Sequence, residues 1–143
     1  MLAPLGNGAL LAGVALALRT LSPRMAIAGV QAAGAPAMTE SLRTGKLVSH
    51  EHMETIADGI GVRIPIPETL ADLQGMTDDL VLVEERSILA GMRSIYRLAG
   101  LVTEPSAAVG VAALLENPEP YEGQRRKPYA GADAGMATLD LTD

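Results

Sequence analysis

The sequence contains no cysteine, tryptophan or phenylalanine, and its only aromatic residues are Tyr96, Tyr121 and Tyr129. Without cysteine this chain forms no disulfide, holds no thiolate-ligated zinc and offers no thiol nucleophile, and it tolerates either redox compartment. Without Trp or Phe it has little on which to stack nucleobases. Lys and Arg number 11 against 17 Asp and Glu, a net charge of −6, so no basic excess exists to follow a phosphate backbone and nucleic-acid binding is disfavoured. Long hydrophobic runs are also missing. The stretch from Ala9 to Leu18 holds about ten apolar residues where a membrane span takes about twenty. No Lys or Arg precedes it, the first being Arg19, so it reads as a buried helix rather than a signal-peptide core. No membrane association is expected, and a cytoplasmic location is.

What is present suits a soluble α/β fold. The chain has 143 residues, 48% of them hydrophobic, so its core must be built from Ala, Leu, Val, Ile and the 7 Met. A short strand over Leu2 to Leu5, a tight turn at Gly6-Asn7-Gly8 and a helix from Ala9 to about Leu21, ended by Pro23, are followed by the apolar run Met25 to Gln31. A continuous apolar run of that length suits a strand of a parallel sheet buried on both faces, completing a βαβ unit. A short helix, Ala37 to Arg43, leads into a polar loop, Thr44 to Glu54, that carries both histidines. Glu68 to Gln74 reads as helix and Leu80 to Val83 as a second apolar strand. In the helix Glu84 to Leu98, stopped by Gly100, the spacing of Ile88, Met92, Ile95 and Tyr96 predicts one buried face. A last helix starts at Pro105 and runs to Glu116, apolar on nearly every side, so it must be covered on most of them. The fold predicted is a partial parallel sheet of three or four strands with helices on both faces.

Three places could carry chemistry. The turn L-G-N-G-A-L bares backbone N–H groups at the positive end of a helix, which favours an anion such as phosphate; the competing reading is that the glycines only let strand and helix pack closely. His50 and His52 flank Glu51 with Glu54 nearby, a spacing able to face a divalent metal, but without a third placed ligand a solvated loop is the better reading. Asp78, Asp79, Glu84 and Glu85 could pair carboxylates for acid–base work. Their place around a helix start makes a structural role the better reading.

Five segments, in order, resemble one family: P-L-G-N-G-A-L (4–10), G-V-Q-A-A-G-A-P-A-M (29–38), E-T-I-A-D-G (54–59), D-D-L-V-L-V (78–83) and G-L-V-T-E-P-S-A-A (100–108). They are similar to the pyridoxal-phosphate-dependent threonine and serine dehydratases of fold type II, relatives of the tryptophan synthase β chain, over residues 1 to about 125. The resemblance implies that Gly6, Asn7, Gly8 and Ala9 bind the phosphate of pyridoxal 5′-phosphate. It implies that Gly59 packs on one face of the pyridine ring, where a side chain would not fit, and that Glu104 is a carboxylate near the ring. Glu104 also directly precedes Pro105, so helix capping is a second role for it. The implied reaction is β-elimination from a hydroxyamino acid, giving a 2-oxo acid and ammonia.

The departures from the family are as informative. Its cofactor-anchoring lysine, in an S-F-K-x-R-G type motif, and its S-x-G-N-H type motif have no counterpart here, and the two lysines present, Lys46 and Lys127, lack that context. A family acid that helps bind a cation is replaced by Gln31, so no metal site is implied. After G-Q-R (123–125) the chain reads R-K-P-Y-A-G-A-D-A-G where the family has a C-G-G-N or S-G-G-N turn. Codons for K-P-Y-A-G-A, read in another frame, allow Thr, then Leu, Ile or Val, then Cys-Gly-Gly. Residues 1–125 are therefore expected to be part of the family's large domain and 126–143 a divergent, frameshifted or disordered tail. Such a chain is expected to be a C-terminal piece of the enzyme, inactive by itself, with an amino-acid substrate in the complete enzyme and a homodimer or a complementing N-terminal half as its partners. The alternatives are a non-catalytic module that binds phosphate or pyridoxal phosphate, or the C-terminal half of a split enzyme.

Overall fold

In a computed structural model, which describes residues 1–121, three short strands line up in parallel in the order β1-β2-β3. The strands are β1 (Leu2–Pro4), β2 (Ala28–Ala32) and β3 (Asp79–Val83), with Leu2 opposite Ala28, and Ala28 and Ala32 opposite Asp79 and Val83. Five helices accompany them: α1 (Ala9–Leu21), α2 (Ala37–Thr44), α3 (Pro67–Leu73), α4 (Glu85–Ala99) and α5 (Pro105–Glu116). Two 3-10 turns complete the described chain, Asp58–Ile60 and Glu119–Tyr121. The expected tail, 126–143, lies outside the described residues.

The predicted βαβ unit is formed by β1, α1 and β2. Every residue of β2 is buried, as a central strand covered on both faces requires. It begins at Ala28 rather than Met25, because the Met25 N–H turns back to the carbonyl of Ser22 and the Ile27 N–H is taken by the Asp78 carboxylate. The start and stop signals act as the sequence suggests. Pro105 occupies the first turn of α5, and Gly100 closes α4 with φ 67°.

Alternate residues of the strands feed two separate cores, since successive side chains of a strand point to opposite faces. On one face Ala3, Leu5 and Ile27 meet Leu11 and Ala15 of α1, Met38 of α2, and Leu70 and Leu73 of α3. On the other, Val30, Ala32 and Val83 meet Ile88 of α4 and Val109, Ala112 and Ala113 of α5, with Ala57 and Ile60 of the linking segment. Helices therefore cover both faces.

One expectation needs correction. The buried residues of α4 are Ser87, Ile88 and Gly91, whereas Met92 and Ile95 are only partly buried and Tyr96 is 61% exposed. The reason is close packing on α5: a Cβ at Gly91 would lie 2.9 Å from the Ala108 carbonyl oxygen and 3.1 Å from the Ala112 nitrogen. The contact line runs along the small residues and leaves the larger Met92 and Tyr96 beside Leu101 and Val102.

Candidate functional site

At the C-terminal end of β1 the Leu5 N–H makes the last bond to the sheet, reaching the Val30 carbonyl at 2.7 Å. The chain then turns through Gly6, Asn7 and Gly8 into α1. Gly8 is the N-cap of α1 with φ 98°, a left-handed conformation that costs an ordinary residue about 1–2 kcal/mol. A Cβ there would also lie 2.5 Å from Leu73 Cδ1 and 2.7 Å from Thr69 Cγ2. Asn7 has a structural bond, its Oδ1 accepting the Ile66 N–H at 2.9 Å and tying the loop to the entrance of α3.

Among the described residues the backbone N–H groups of Gly6, Asn7, Gly8 and Ala9 have no hydrogen-bond partner. The first turn of α1 holds no acidic residue that would offset the positive end of the helix. Free donors converging on a helix N-terminus form a seat for an anion. The position also suits a ligand, because open parallel sheets bind their ligands outside the carboxyl ends of the strands.

The other expected residues are brought to the same end of the molecule. Gly6 abuts the first 3-10 turn, where a Cβ on Gly6 would come within 3.2 Å of Ile60 Cα. In that turn Gly59 is exposed, its N–H held by Asp58 Oδ1 at 2.9 Å. A side chain at 59 would point at α5, with its Cβ 2.8 Å from Ser106 Oγ and 3.6 Å from Glu104 Oε1. A side chain here would therefore require the Ser106 hydroxyl to shift. Glu104 occupies the N-cap position of α5, but its side chain makes no capping hydrogen bond, so its carboxylate is free for another partner. Ser106 was not singled out from the sequence. Its hydroxyl is buried without a partner beneath Gly59, and its spacing of two from Glu104 in the first turn of α5 is the one hint the sequence holds.

The remaining candidates lie elsewhere or are engaged. Nε2 of His50 pairs with Glu40 Oε2 of α2 at 2.7 Å, while His52 is exposed. Among the described residues no three His, Asp or Glu side chains are grouped to hold a metal ion. Asp78 Oδ2 accepts hydrogen bonds from the Ile27 N–H at 2.7 Å and from Arg19 at 2.9 Å, and these donors, the backbone one foremost, hold its pKa below the usual 3.8. Glu84 is the N-cap of α4, and the Glu85 carboxylate accepts the Ile56 N–H at 2.9 Å. Gln31, where the family has an acid, is fully buried with Oε1 accepting the Thr39 N–H. The one lysine among the described residues, Lys46, is exposed in the loop after α2. Two surface concavities, of about 270 and 230 Å³, lie at the start of β3 and beside Tyr96, away from the glycine loop. In the loop itself Gly6 and Asn7 are half-buried, Gly8 is buried and Ala9 is exposed. The donors and glycines therefore fit the phosphate and one ring face of a cofactor, and no described residue brings an amine there to anchor it covalently. Among the described residues, no helix is long and apolar enough to cross a membrane.

Comparison with known proteins bears on the family and the fold. Residues 1–126 match the family described as pyridoxal-phosphate dependent enzyme. An L-threonine ammonia-lyase of Geobacter sulfurreducens is 39% identical over 115 residues, covering 80% of this chain and 29% of that protein. A catabolic L-threonine dehydratase of Staphylococcus aureus is 36% identical over the same length, covering 80% of this chain and 33% of the relative. The chain thus spans about a third of the length of the curated relatives it matches. Among solved structures, a threonine deaminase of T.th. superposes with a TM-score of 0.79 at 34% identity, over 82% of this chain and 43% of that one. The processed form of threonine deaminase isoform 2 from Solanum lycopersicum gives 0.78 at 35% identity, over 84% and 33%.

Proposed function

We propose, from the premise that this chain belongs to the pyridoxal-phosphate dependent enzyme family, that it forms the phosphate and ring-face side of the cofactor site of a threonine or serine dehydratase. The observation that carries the reading is the convergence of unpaired N–H groups at Gly6 to Ala9 with Gly59 and Glu104 at one end of a parallel sheet. The phosphate is held by the N–H groups of Gly6, Asn7, Gly8 and Ala9 with help from the α1 dipole. Gly59 presents a bare backbone face to the ring. Glu104, free of capping duty, offers a carboxylate at the ring's edge. When bound, pyridoxal phosphate supplies the electron sink that stabilises negative charge developing at Cα of a hydroxyamino acid, the chemistry that β-elimination to a 2-oxo acid and ammonia requires.

A covalent anchor is needed for that reaction, and no described residue of this chain supplies one. We assign it to a lysine-bearing segment, carried by a complementing half, that meets this surface in the active protein. Purified alone, the chain is expected to show no threonine or serine dehydratase turnover. Turnover by the chain by itself would refute the assignment of the lysine to another segment.

Binding is tested with pyridoxine 5′-phosphate, whose alcohol forms no imine with Lys46 or the terminal amine. By calorimetry it should bind saturably, pyridoxine without the phosphate at least tenfold more weakly, and inorganic phosphate should compete. Equal affinity for the phosphorylated and unphosphorylated forms would remove the phosphate seat from the reading.

A further inference from the structure

The segment that carries Gly59 has few ties to the rest of the molecule. Its entry is fixed by the Glu54 N–H bonding the Gly34 carbonyl at 2.9 Å. From there to Gly59 most bonds are local: Ala57 N–H to Thr55 Oγ1, Ile60 N–H to the Ala57 carbonyl, Gly59 N–H to Asp58 Oδ1. Among the described residues, the single long-range hydrogen bond of residues 55–59 runs from the Ile56 N–H to Oε2 of Glu85, at 2.9 Å.

Glu85 stands in the first turn of α4, where the helix dipole favours a negative charge and a charged acceptor makes a stronger bond than a neutral one. It spends that charge on the loop and not on its own helix, since α4 has no side-chain cap and the Glu84 N–H is met by Glu116 from the end of α5. Among the described residues its second oxygen, Oε1, is buried without a partner, and the Ile56 N–H is the one donor holding this carboxylate in place.

We infer that Glu85 is a positioning residue for the ring face of the site: by holding the Ile56 N–H it sets where Gly59 stands against Glu104 and Ser106, while leaving the phosphate seat at Gly6 to Ala9 untouched. This rests on the proposed function, and it separates two halves of one site that respond differently to one substitution.

The test uses the whole chain and two probes, pyridoxine 5′-phosphate and inorganic phosphate, with Glu85→Met, which keeps volume but loses the acceptor, and Glu85→Gln, which keeps an acceptor. E85M should weaken pyridoxine 5′-phosphate at least tenfold and change inorganic phosphate less than twofold. E85Q should restore the ring-bearing ligand to within about threefold of wild type. A merely structural glutamate would lower affinity for both probes together or for neither, and either result overturns the inference. If E85M does not fold, amide exchange in the wild-type chain decides: pyridoxine 5′-phosphate must slow exchange at Ile56, and unchanged exchange there refutes the role. Failure of both probes to bind wild type sinks the proposed function itself, a result distinct from the failures above.

Discussion

The two faces of the sheet are built from side chains of different size, and each backs a different half of the proposed site. Against α1, α2 and α3 the core is made of large residues, Leu5, Leu11, Ile27, Met38 and Leu73. Against α4 and α5 it is made mostly of small ones, Ala32, Ala57, Val83, Ala112 and Ala113. The large-residue face backs the proposed phosphate seat, since Gly8 rests on Leu73 and Thr69. The small-residue face backs the proposed ring side, since Ala57 and Ile60 flank Gly59 and α5 carries Glu104. Bulk tolerates loss poorly because it leaves a cavity. Close backbone approach tolerates gain poorly because nothing can move aside.

That contrast is broken most strongly by truncation on the large-residue face. Leu11 is fully buried, and Leu11→Ala should cost about 3 kcal/mol in urea unfolding, whereas Leu16→Ala on the exposed side of α1, at 64% exposure, should change stability by less than about 0.5 kcal/mol. A similar loss in both would show that the α1 face is not a packed core. Next comes addition on the small-residue face. Gly91→Ala places a methyl against the backbone of α5 and should cost about 2 kcal/mol by forcing the helices apart. It should also weaken pyridoxine 5′-phosphate more than inorganic phosphate, because the displaced helix carries Glu104.

A smaller effect belongs to the joint between the two halves. Gly8→Ala meets only the far ends of the Leu73 and Thr69 side chains, so its cost is mainly that of a left-handed backbone, about 1.5 kcal/mol. Its effect on phosphate binding should exceed its effect on folding. Phosphate affinity within twofold of wild type would remove residues 6–9 from the site.

The smallest effect lies at the opposite edge of the sheet. The Asp78 carboxyl titrates below its usual 3.8 because the Ile27 N–H and Arg19 stabilise its charged form. Its contribution to stability is therefore present above about pH 3.8 and is lost as pH falls through the lowered folded-state value. Acid titrations of wild type and Asp78→Asn should differ above that range and converge below it. The difference is small because the pair is solvent-exposed. Parallel curves at every pH would show that Asp78 contributes nothing through its charge.

Local features were readable where local physics decides them. Helix α1 begins at Ala9 and ends at Leu21, as the Gly-Asn-Gly turn and Pro23 indicate, because turn chemistry and the missing proline donor act within a few residues. The geometry of the glycine turn was legible for the same reason: the unpaired N–H groups at Gly6 to Ala9 belong to one turn and the helix after it. The buried face of α4 was not. Apolar spacing marks Tyr96 as firmly as Ile88, and only the approach of α5 along Gly91 decides which of them is covered. Ser106 was missed because a serine in the first turn of a helix is ordinary until a glycine from another segment is found above it.

Order along the chain was enough to set an α/β architecture, its strands and helices to within a few residues, and a phosphate-suited turn, because periodicity, glycine and proline act over short stretches. Folding in three dimensions was needed to bring Gly59, Glu104 and Ser106 together and to carry Glu85 to Ile56. Such contacts depend on how closely helices pack across the small-residue face of the sheet, and packing distance is a property of two surfaces together that neither segment carries alone.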